Sequence, residues 1–358
     1  MSRLATALLL LVAGAASAGG AAAESPEPVA PFEILGTLVA GGERRDLLLP
    51  VGESFTGSEL AMGVIVMHGP RPGPVQCLTA GVHGDEVNGI EVVRRLLAEL
   101  DPARISGTVV GVPIVNPHGF RRGSRYVPDR RDLNRHFPGR RYGSAASRIA
   151  HALFEEIVRR CDHLLDFHTG SFERTNFPHA RGDLEVPGVA ELVLSLDGWV
   201  VLQHQGRPGT LRRAATDAGV PTLTFEVGGP VRLDEEAVRR TVEGVRRMPG
   251  LGATRARRAP VEVYARSRWV RVDEGGVLLT RVTPGDRVKK DQILGVVVDP
   301  IASQESVVRA PAPGLLIGMA WSQVVIPGFA AFHLATVDSE EPVAVDSEPG
   351  VAEEEIPE

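Results

Sequence analysis

Two alternating patterns of apolar and polar residues run along the chain between residues 70 and 250. Short apolar runs such as PVQCLTAG, GTVVGVPIVN, HLLDFHTG and VPTLTFEVGGP are typical of buried strands. Between them, IEVVRRLLAEL places apolar side chains at 90, 93, 96, 97 and 100, which is a helical spacing. SAASRIAHALFEEIVRR and DEEAVRRTVEGVRRM are also predicted helices. Strands that alternate with helices predict an α/β domain with a mixed, mainly parallel sheet flanked by helices.

The pattern changes after Pro260, where short apolar runs are separated by Gly, Pro and Asp turns. Residues 259–337 are therefore predicted to form a small all-β domain. GGVLLTRVTPGDRVKKDQILG is loosely repeated as PGLLIGMAWSQVVIPGFAAFHLA, and the module resembles the biotinyl/lipoyl-type sandwiched barrel. In carrier domains of that type a lysine on the exposed hairpin is acylated. The matching hairpin here falls near DPIASQES, which has no lysine, so a swinging arm is not expected.

The N-terminus MSRLATALLLLVAGAASAGG combines a lone Arg3, an apolar run from Leu4 to Val12 and small residues at 16–18. This pattern is typical of a secretory signal, and it predicts a signal peptide over residues 1–23 and a periplasmic or secreted protein. A disordered alanine-rich leader is the alternative interpretation. No other apolar segment approaches the length of a membrane span, so none is predicted in the mature protein.

Length and charge refine this division. A chain of 358 residues with 43% hydrophobic content is long enough for more than one core. Nine acids and no base lie in residues 338–358; without this tail the formal charge of −6 becomes +3. We therefore predict an α/β domain with an N-terminal β segment at 24–258, the β domain at 259–337, and a disordered acidic tail at 338–358.

Polar side chains follow several predicted strands at the point where each strand ends. His83 and Glu86 lie in a glycine-flanked turn after the first strand, His168 ends the third strand, and Glu226 lies in the fourth. Each residue alone could be an ordinary turn or core residue. Since the carboxyl ends of parallel strands meet at one edge, we expect them to lie close together. Two imidazoles and a carboxylate suit a zinc ion with an open position for water, and the second carboxylate could take a proton.

The long loop before residue 142 is rich in arginine. A solvated loop or a nucleic-acid patch is the simpler interpretation, but interleaved acids and few aromatic residues disfavour nucleic acid. A guanidinium group also suits a substrate carboxylate or the oxyanion of a tetrahedral intermediate. The eight arginines are at positions 121, 122, 125, 130, 131, 135, 140 and 141.

Four ordered motifs carry a family resemblance. GVHGDEVNG, NPHGFRRGSRYVPDRRDLNRHFPG, DFHTG and TFEVGG resemble the succinylglutamate desuccinylase and aspartoacylase family, whose fold is related to zinc carboxypeptidases. The likeness covers roughly residues 60–250. It implies one zinc ion per chain bound by His83, Glu86 and His168, with Glu226 as the general base.

The resemblance also assigns the residues expected to contact substrate. Asn134 and Arg135 match the DLNR motif, which implies that Arg135 polarises the scissile carbonyl and that Asn134 helps to hold the substrate. Arg125 matches less closely and is expected to contact the substrate. Arg181, in NFPHARGD, is a candidate for a second carboxylate contact on position alone; a surface loop arginine is the alternative.

The two cysteines lie at similar distances before predicted ligands. Cys77 is six residues before His83, and Cys161 is seven before His168. If these strands are neighbours, as the family fold implies, a disulfide would be in reach. Buried free cysteines are the favoured prediction, with the bond as an option.

Three functions follow from these expectations. The leading one is a zinc-dependent deacylase that hydrolyses the amide of a small, carboxylate-bearing N-acyl amino acid. The first alternative is a metallocarboxypeptidase that acts on short peptides, which export favours. The second is a non-catalytic binding protein, which would have no need of Glu226. By analogy with the family, the β domain is expected to narrow the active-site entrance or to mediate homo-oligomer contacts.

Overall fold

The computed structural model describes residues 29–53, 59–246, 248, 251 and 259–336. The predicted signal peptide at 1–23 and acidic tail at 338–358 lie outside these residues and stay predictions. Among the helices that are described, none has the length and apolar character needed to cross a membrane.

The described chain forms strands throughout, with helices confined to the part before residue 246. The strands are β1 (Phe32–Ile34), β2 (Thr37–Val39), β3 (Glu43–Glu53), β4 (Glu59–His68), β5 (Arg71–Ala80), β6 (Ser106–Val112), β7 (His163–His168), β8 (Arg174–Gly182), β9 (Val200–Gln203), β10 (Thr222–Gly228), β11 (Glu262–Tyr264), β12 (Arg266–Arg271), β13 (Gly276–Thr280), β14 (Arg287–Val288), β15 (Ile293–Val298), β16 (Glu305–Arg309), β17 (Gly314–Ala320), β18 (Val324–Val325) and β19 (Ala330–Thr336). The helices are α1 (Val87–Glu99), α2 (Pro117–Arg122), α3 (Ala145–Glu156), α4 (Val189–Ser195), α5 (Leu211–Asp217) and α6 (Glu235–Val245), with short 3₁₀ helices at Leu133–Arg135 and Val158–Arg160.

A 13-stranded mixed sheet forms the centre of the molecule. Its middle strands β10, β7, β5 and β6 run parallel in that order, while β8 lies antiparallel to β10 and β4 lies antiparallel to β6. Helices cover both faces, which confirms the predicted α/β class with a mixed, mainly parallel sheet flanked by helices. The parallel centre places the ends of β5, β7 and β10 at one edge.

The apolar runs of the middle strands supply a core on each face of the sheet. Leu164 of β7 packs in the cluster that contains residues of α3 and α5, whereas its neighbour Leu165 packs in the cluster with α1, α4 and α6. Successive side chains of a strand point to opposite faces, so a strand covered on both sides must be apolar at nearly every position. Burial on both faces therefore explains why these strands are continuous apolar runs in the sequence.

Cys77 of β5 and Cys161, just before β7, form a disulfide with a Cα–Cα distance of 5.8 Å. The favoured prediction of free cysteines was therefore wrong, and the optional bond is present. Cys77 is paired in register with Leu164, and both cysteines pack in the core cluster of α3 and α5. Neighbouring strands and a shared face satisfy the two geometric requirements for the bond.

The region after residue 259 contains strands β11 to β19 and adds to the main sheet. β17 pairs with β8, and β19 and β12 continue the sheet outward from β17. A separate antiparallel sheet of β16, β15, β13 and β18 shares a core with them. The predicted all-β region is thus present, and it is hydrogen-bonded to the main sheet through β17 and β8. Its likeness to a biotinyl/lipoyl barrel and the boundary at 259 stay predictions.

Candidate metal centre

Three sheet connections bring the predicted ligands to one edge. His83 and Glu86 lie in the turn between β5 and α1, and His168 is the last residue of β7. The turn requires its glycines: Gly81 has a φ of +62°, and a Cβ at Gly84 would overlap the backbone of Gly119. The turn therefore packs closely against the start of α2 and directs both side chains toward β7.

The side chains of His83, Glu86 and His168 converge in a buried cluster. Nδ1 of His83 lies 2.7 Å from Oε1 of Glu86, and Nδ1 of His168 lies 2.8 Å from Oε2 of the same carboxylate. One ligand atom from each residue lies within 4.8 Å of those of the other two. The structure thus brings together all three residues that are predicted from the sequence to bind the metal. Two imidazole nitrogens and a carboxylate are a donor set that zinc accepts, with a fourth position left for water.

The outer nitrogens of both imidazoles face carboxylates. Nε2 of His83 lies 3.0 Å from Asp132, and Nε2 of His168 lies 2.8 Å from Asp166. The hydroxyl of Thr79 donates to the other oxygen of Asp166 at 2.7 Å. If Nε2 donates to these carboxylates when an ion is bound, Nδ1, which faces Glu86 in both histidines, is the nitrogen left to bind the ion.

Asp132 and Asp166 received no role in the sequence analysis. Each belongs to a motif that was singled out, DLNR and DFHTG, and this position beside a recognised functional residue was the available signal. Only the folded chain shows which histidine each carboxylate orients.

The electrostatics of the cluster favour positive charge at its centre. Burial alone would lower the pKa of His168, but Asp166 and Glu86 together raise it well above its ordinary value. The pKa of His83 is also raised, because Glu86 and Asp132 outweigh burial and the nearby Arg125. Burial would raise the pKa of Glu86, yet the two imidazoles hold it well below its usual range. The carboxylates that cause these shifts would also stabilise a metal cation, and the donor set of two imidazoles and a carboxylate fits a zinc ion.

Arg125 lies in the site, where its guanidinium group is hydrogen-bonded to the carboxylates of Asp132 and Glu86. Its Nε and Nη2 donate to Asp132 at 3.2 and 2.8 Å, and Nη1 donates to Glu86 at 3.3 Å. Its guanidinium carbon is 5.6 Å from the ring centroid of Phe172. The contact between Arg125 and substrate remains a prediction. The structure adds that this guanidinium donates to Glu86, one of the predicted metal ligands.

The DLNR segment is tied to the site at one end and to α5 at the other. Asp132 accepts from the backbone N–H of Asn134 at 2.9 Å, and Asn134 Oδ1 accepts from the N–H of Leu211 at 2.8 Å. Arg135 donates to the carbonyl of Asn134 at 3.0 Å. The side-chain oxygen of Asn134 thus holds the start of α5 against the loop that carries Asp132. The contact between Asn134 and substrate stays a prediction.

Glu226 of β10 is the register partner of His168 on β7 and of His179 on β8. Asn176 Nδ2 donates to its Oε2 at 2.8 Å, and Arg181 Nε lies 3.5 Å from its Oε1. Arg181 is a strand residue of β8 with 6% exposure, so the alternative of a surface loop arginine was wrong. Asn176 was missed, since nothing in its local sequence marks a contact fifty residues away.

Asn88, in the first turn of α1, joins the turn of His83 and Glu86 to the segment after β10. Its Nδ2 donates to the carbonyls of Val227 and Gly229 at 3.0 and 2.9 Å, and its Oδ1 accepts from the N–H of Asp234 at 2.9 Å. The side chain is fully buried. These three hydrogen bonds hold the strand of Glu226 and the turn of Glu86 in one relative position.

Known proteins resemble the chain most clearly in its catalytic region. Residues 72–250 match the family described as succinylglutamate desuccinylase/aspartoacylase catalytic domain. An N-alpha-acetyl-L-2,4-diaminobutyric acid deacetylase of Halomonas elongata is 36% identical over 127 residues, 35% of this chain and 36% of the relative. A succinylglutamate desuccinylase of Burkholderia pseudomallei is 31% identical over 209 residues, 48% of this chain and 57% of the relative. The chain thus spans less than two thirds of each of these relatives.

Solved structures share the fold over a longer stretch. An ectoine utilisation protein of Ruegeria pomeroyi superposes with a TM-score of 0.74 at 22% identity, over 87% of this chain and 99% of the other. A succinylglutamate desuccinylase/aspartoacylase of Rhodobacter sphaeroides gives a TM-score of 0.71 at 23% identity, over 83% and 96%. Because these matches exceed residues 72–250, the shared fold includes more than the catalytic segment.

Proposed function

Because the chain belongs to the succinylglutamate desuccinylase/aspartoacylase family, we propose that it is a zinc-dependent hydrolase that cleaves the amide bond of an N-acyl amino acid. The observation that carries the proposal is the convergence of His83, Glu86 and His168 at the sheet edge where Glu226 also lies. Two curated relatives that are named as deacylases support amide hydrolysis.

His83, Glu86 and His168 would hold a single zinc ion, and Asp132 and Asp166 would keep both Nδ1 atoms directed toward it. A bound zinc ion supplies a water of lowered pKa and polarises a carbonyl oxygen. The protein itself supplies the ligand geometry and the buried surroundings, in which charge interactions are stronger than in water.

Glu226 would act as the general base. Its carboxylate accepts a hydrogen bond from the Asn176 amide, a donor that matches the ionised form able to take a proton. In the reaction the carbon–oxygen bond to the attacking water forms and the carbon–nitrogen bond of the amide breaks. The proton that Glu226 takes from the water would be delivered to the departing amine nitrogen.

Arginines would orient the substrate. Arg181 is buried beside Glu226, and Arg125 lies beside Glu86, so both guanidinium groups are near the proposed reaction centre. Arg135 and Asn134 would complete the contacts, with Arg135 on the scissile carbonyl. Guanidinium groups bind carboxylates through paired hydrogen bonds, which supports a small, carboxylate-bearing substrate.

Zinc-loaded protein, tested against N-acetyl and N-succinyl amino acids and short peptides, would test this proposal beside Glu226→Gln. We expect the variant to keep its zinc while turnover of an N-acyl amino acid falls at least about 100-fold, since proton transfer is lost. Turnover like that of the wild type would remove the general-base assignment. Cleavage of peptides alone would replace the deacylase with a carboxypeptidase.

The N-terminal pattern of residues 1–23 supports the further proposal that the protein is exported. N-terminal sequencing of protein recovered from the periplasm or medium should begin near residue 24. An intact Met1 on the accumulated protein would overturn this proposal.

A further inference from the structure

The strand that follows Pro313 lies directly beside the contacts of Glu226. β17 pairs antiparallel with β8, and Gly318 of β17 is the register partner of Asn176. A Cβ at Gly318 would overlap Oδ1 of the Asn176 side chain. Since any other residue would need this space, the glycine lets the C-terminal strand approach β8 while the amide stays in place.

The Asn176 amide therefore occupies the gap between Gly318 and Glu226. Its Nδ2 donates to Glu226 Oε2 at 2.8 Å, while its Oδ1 faces Gly318. Asn176 is buried, with 7% exposure. Only the NH₂ group can donate to a carboxylate, so the amide has one useful orientation. Its position then depends on how closely β17 approaches.

Further contacts hold the C-terminal region against the start of β8. The N–H of Trp321 and the side chain of Gln323 both donate to the carbonyl of Glu173, at 3.0 and 3.2 Å. The Trp321 ring also packs against Gly229, three residues after Glu226, where a Cβ would lie 2.8 Å from it. The end of β17 thus touches both the strand of Asn176 and the exit of the strand of Glu226.

Arg174, two residues before Asn176, is anchored in the same region. Its Nε donates to the carbonyl of Ala330 at 3.1 Å, and its guanidinium carbon lies 4.6 Å from the Phe329 ring centroid and 5.4 Å from that of Trp269. A cation placed over aromatic rings in a buried setting is held more firmly than at the surface. The start of β8 is therefore fixed by residues from β12 and the segment entering β19.

We propose that the C-terminal β region takes part in the reaction as a positioning element, in which Gly318 holds the Asn176 amide against Glu226. Asn176 is the positioning residue, and Glu226 is the group that reacts. This inference rests on the proposed function, because it depends on Glu226 acting as the base. It gives the C-terminal strands a role inside the site, beyond the entrance wall or oligomer contact predicted from the sequence.

The test uses full-length, zinc-loaded protein with Asn176→Ala, Gly318→Ala and a matched control, Gly314→Ala. Gly314 begins the same strand, at the end away from Asn176, and a Cβ there would overlap the Ala335 carbonyl. We expect Asn176→Ala and Gly318→Ala to lower kcat about tenfold or more, with KM within about twofold, because a displaced base loses alignment. Gly314→Ala should keep kcat even where its melting temperature falls. Zinc content should be unchanged in all three.

A double-mutant cycle separates positioning from a general packing effect. In a Glu226→Gln background, Asn176→Ala should lower the residual rate by less than about twofold, because its partner group is already removed. Independent losses that multiply would overturn the inference, as would a wild-type kcat for Asn176→Ala alone. If Gly318→Ala does not fold, the kcat of Asn176→Ala and the double-mutant cycle test whether the Asn176 amide positions Glu226. Full activity of Glu226→Gln is a different outcome, which would remove the proposed base itself.

Discussion

Nε2 of His168 lies 2.8 Å from Oδ2 of Asp166, two residues earlier in the same strand. Residues two apart in a strand point to the same face, so β7 by itself supplies both an imidazole and the carboxylate that orients it. His83 obtains the same arrangement from Asp132, forty-nine residues away. The imidazole of His168 is therefore oriented by a neighbour in its own strand, and that of His83 by a residue that only the fold brings near.

Removing either orienting carboxylate should weaken zinc binding. For Asp166→Asn and Asp132→Asn we expect zinc affinity to fall about 10- to 100-fold, because the imidazoles lose the charge that favours Nδ1 as ligand. Competition with a chromogenic chelator measures the affinity. Asp129→Asn, in the same loop as Asp132 but paired with Arg131, is the control and should bind zinc as the wild type does. Unchanged zinc affinity in both test variants would show that Asp132 and Asp166 do not orient the imidazoles toward the metal.

The ligands themselves should determine the metal content. His83→Ala and His168→Ala should each lose bound zinc and all measurable turnover, since two ligands do not retain the ion against dialysis. Elemental analysis of purified protein reports the zinc per chain. His118→Ala, whose histidine lies in α2 outside the cluster, should keep a full complement. Stoichiometric zinc in both ligand variants would place the metal elsewhere.

Arg181 should contribute to substrate binding. Replacing it by alanine removes a buried guanidinium beside Glu226, and we expect KM for a carboxylate-bearing substrate to rise about tenfold or more. Steady-state kinetics with a matched substrate that lacks the carboxylate should show a much smaller rise. Arg213→Ala is the control, because Arg213 pairs with Asp217 on the surface of α5. Equal rises for both substrates would indicate that Arg181 acts on Glu226 and does not bind the carboxylate.

The disulfide should stabilise the folded chain. It joins residues separated by 84 positions, and breaking a bond that closes so long a loop typically costs about 2–4 kcal/mol. Urea unfolding of a Cys77→Ser/Cys161→Ser variant should show this loss, and reductant should bring the wild type down to the variant while leaving the variant unchanged. Denatured, unreduced protein should contain no free thiol. Two thiols per chain would show that the bond does not form.

Much of the site could be predicted because it depends on local signals and one general rule. The apolar runs identified the parallel strands, and the turn GVHGDEVNG and the motif DFHTG each end such a strand. Parallel strands of one sheet share an edge for their carboxyl ends. His83, Glu86, His168 and Glu226 could therefore be grouped without knowing the order of the strands.

The tertiary structure decided every contact that joins distant strands. β8 follows β7 in the chain but pairs with β10, and this pairing alone brings Asn176 and Arg181 to Glu226. The same holds for β17, whose addition to β8 links the C-terminal strands to the site. The choice of antiparallel partner depends on which surfaces pack together in the whole fold, and the periodicity of a single strand carries no information about it.

The cysteines and the orienting carboxylates show the same division. The sequence determined only that Cys77 and Cys161 lie six and seven residues before two predicted ligands, whereas the pairing of their strands and the face that they share came from the tertiary structure. It determined that Asp132 lies in the DLNR motif, but the loop path that carries it to His83 came from packing against α5. The order of residues determines local chemistry, whereas distances between side chains far apart in sequence are set by how the strands pair and how the helices pack on both faces of the sheet.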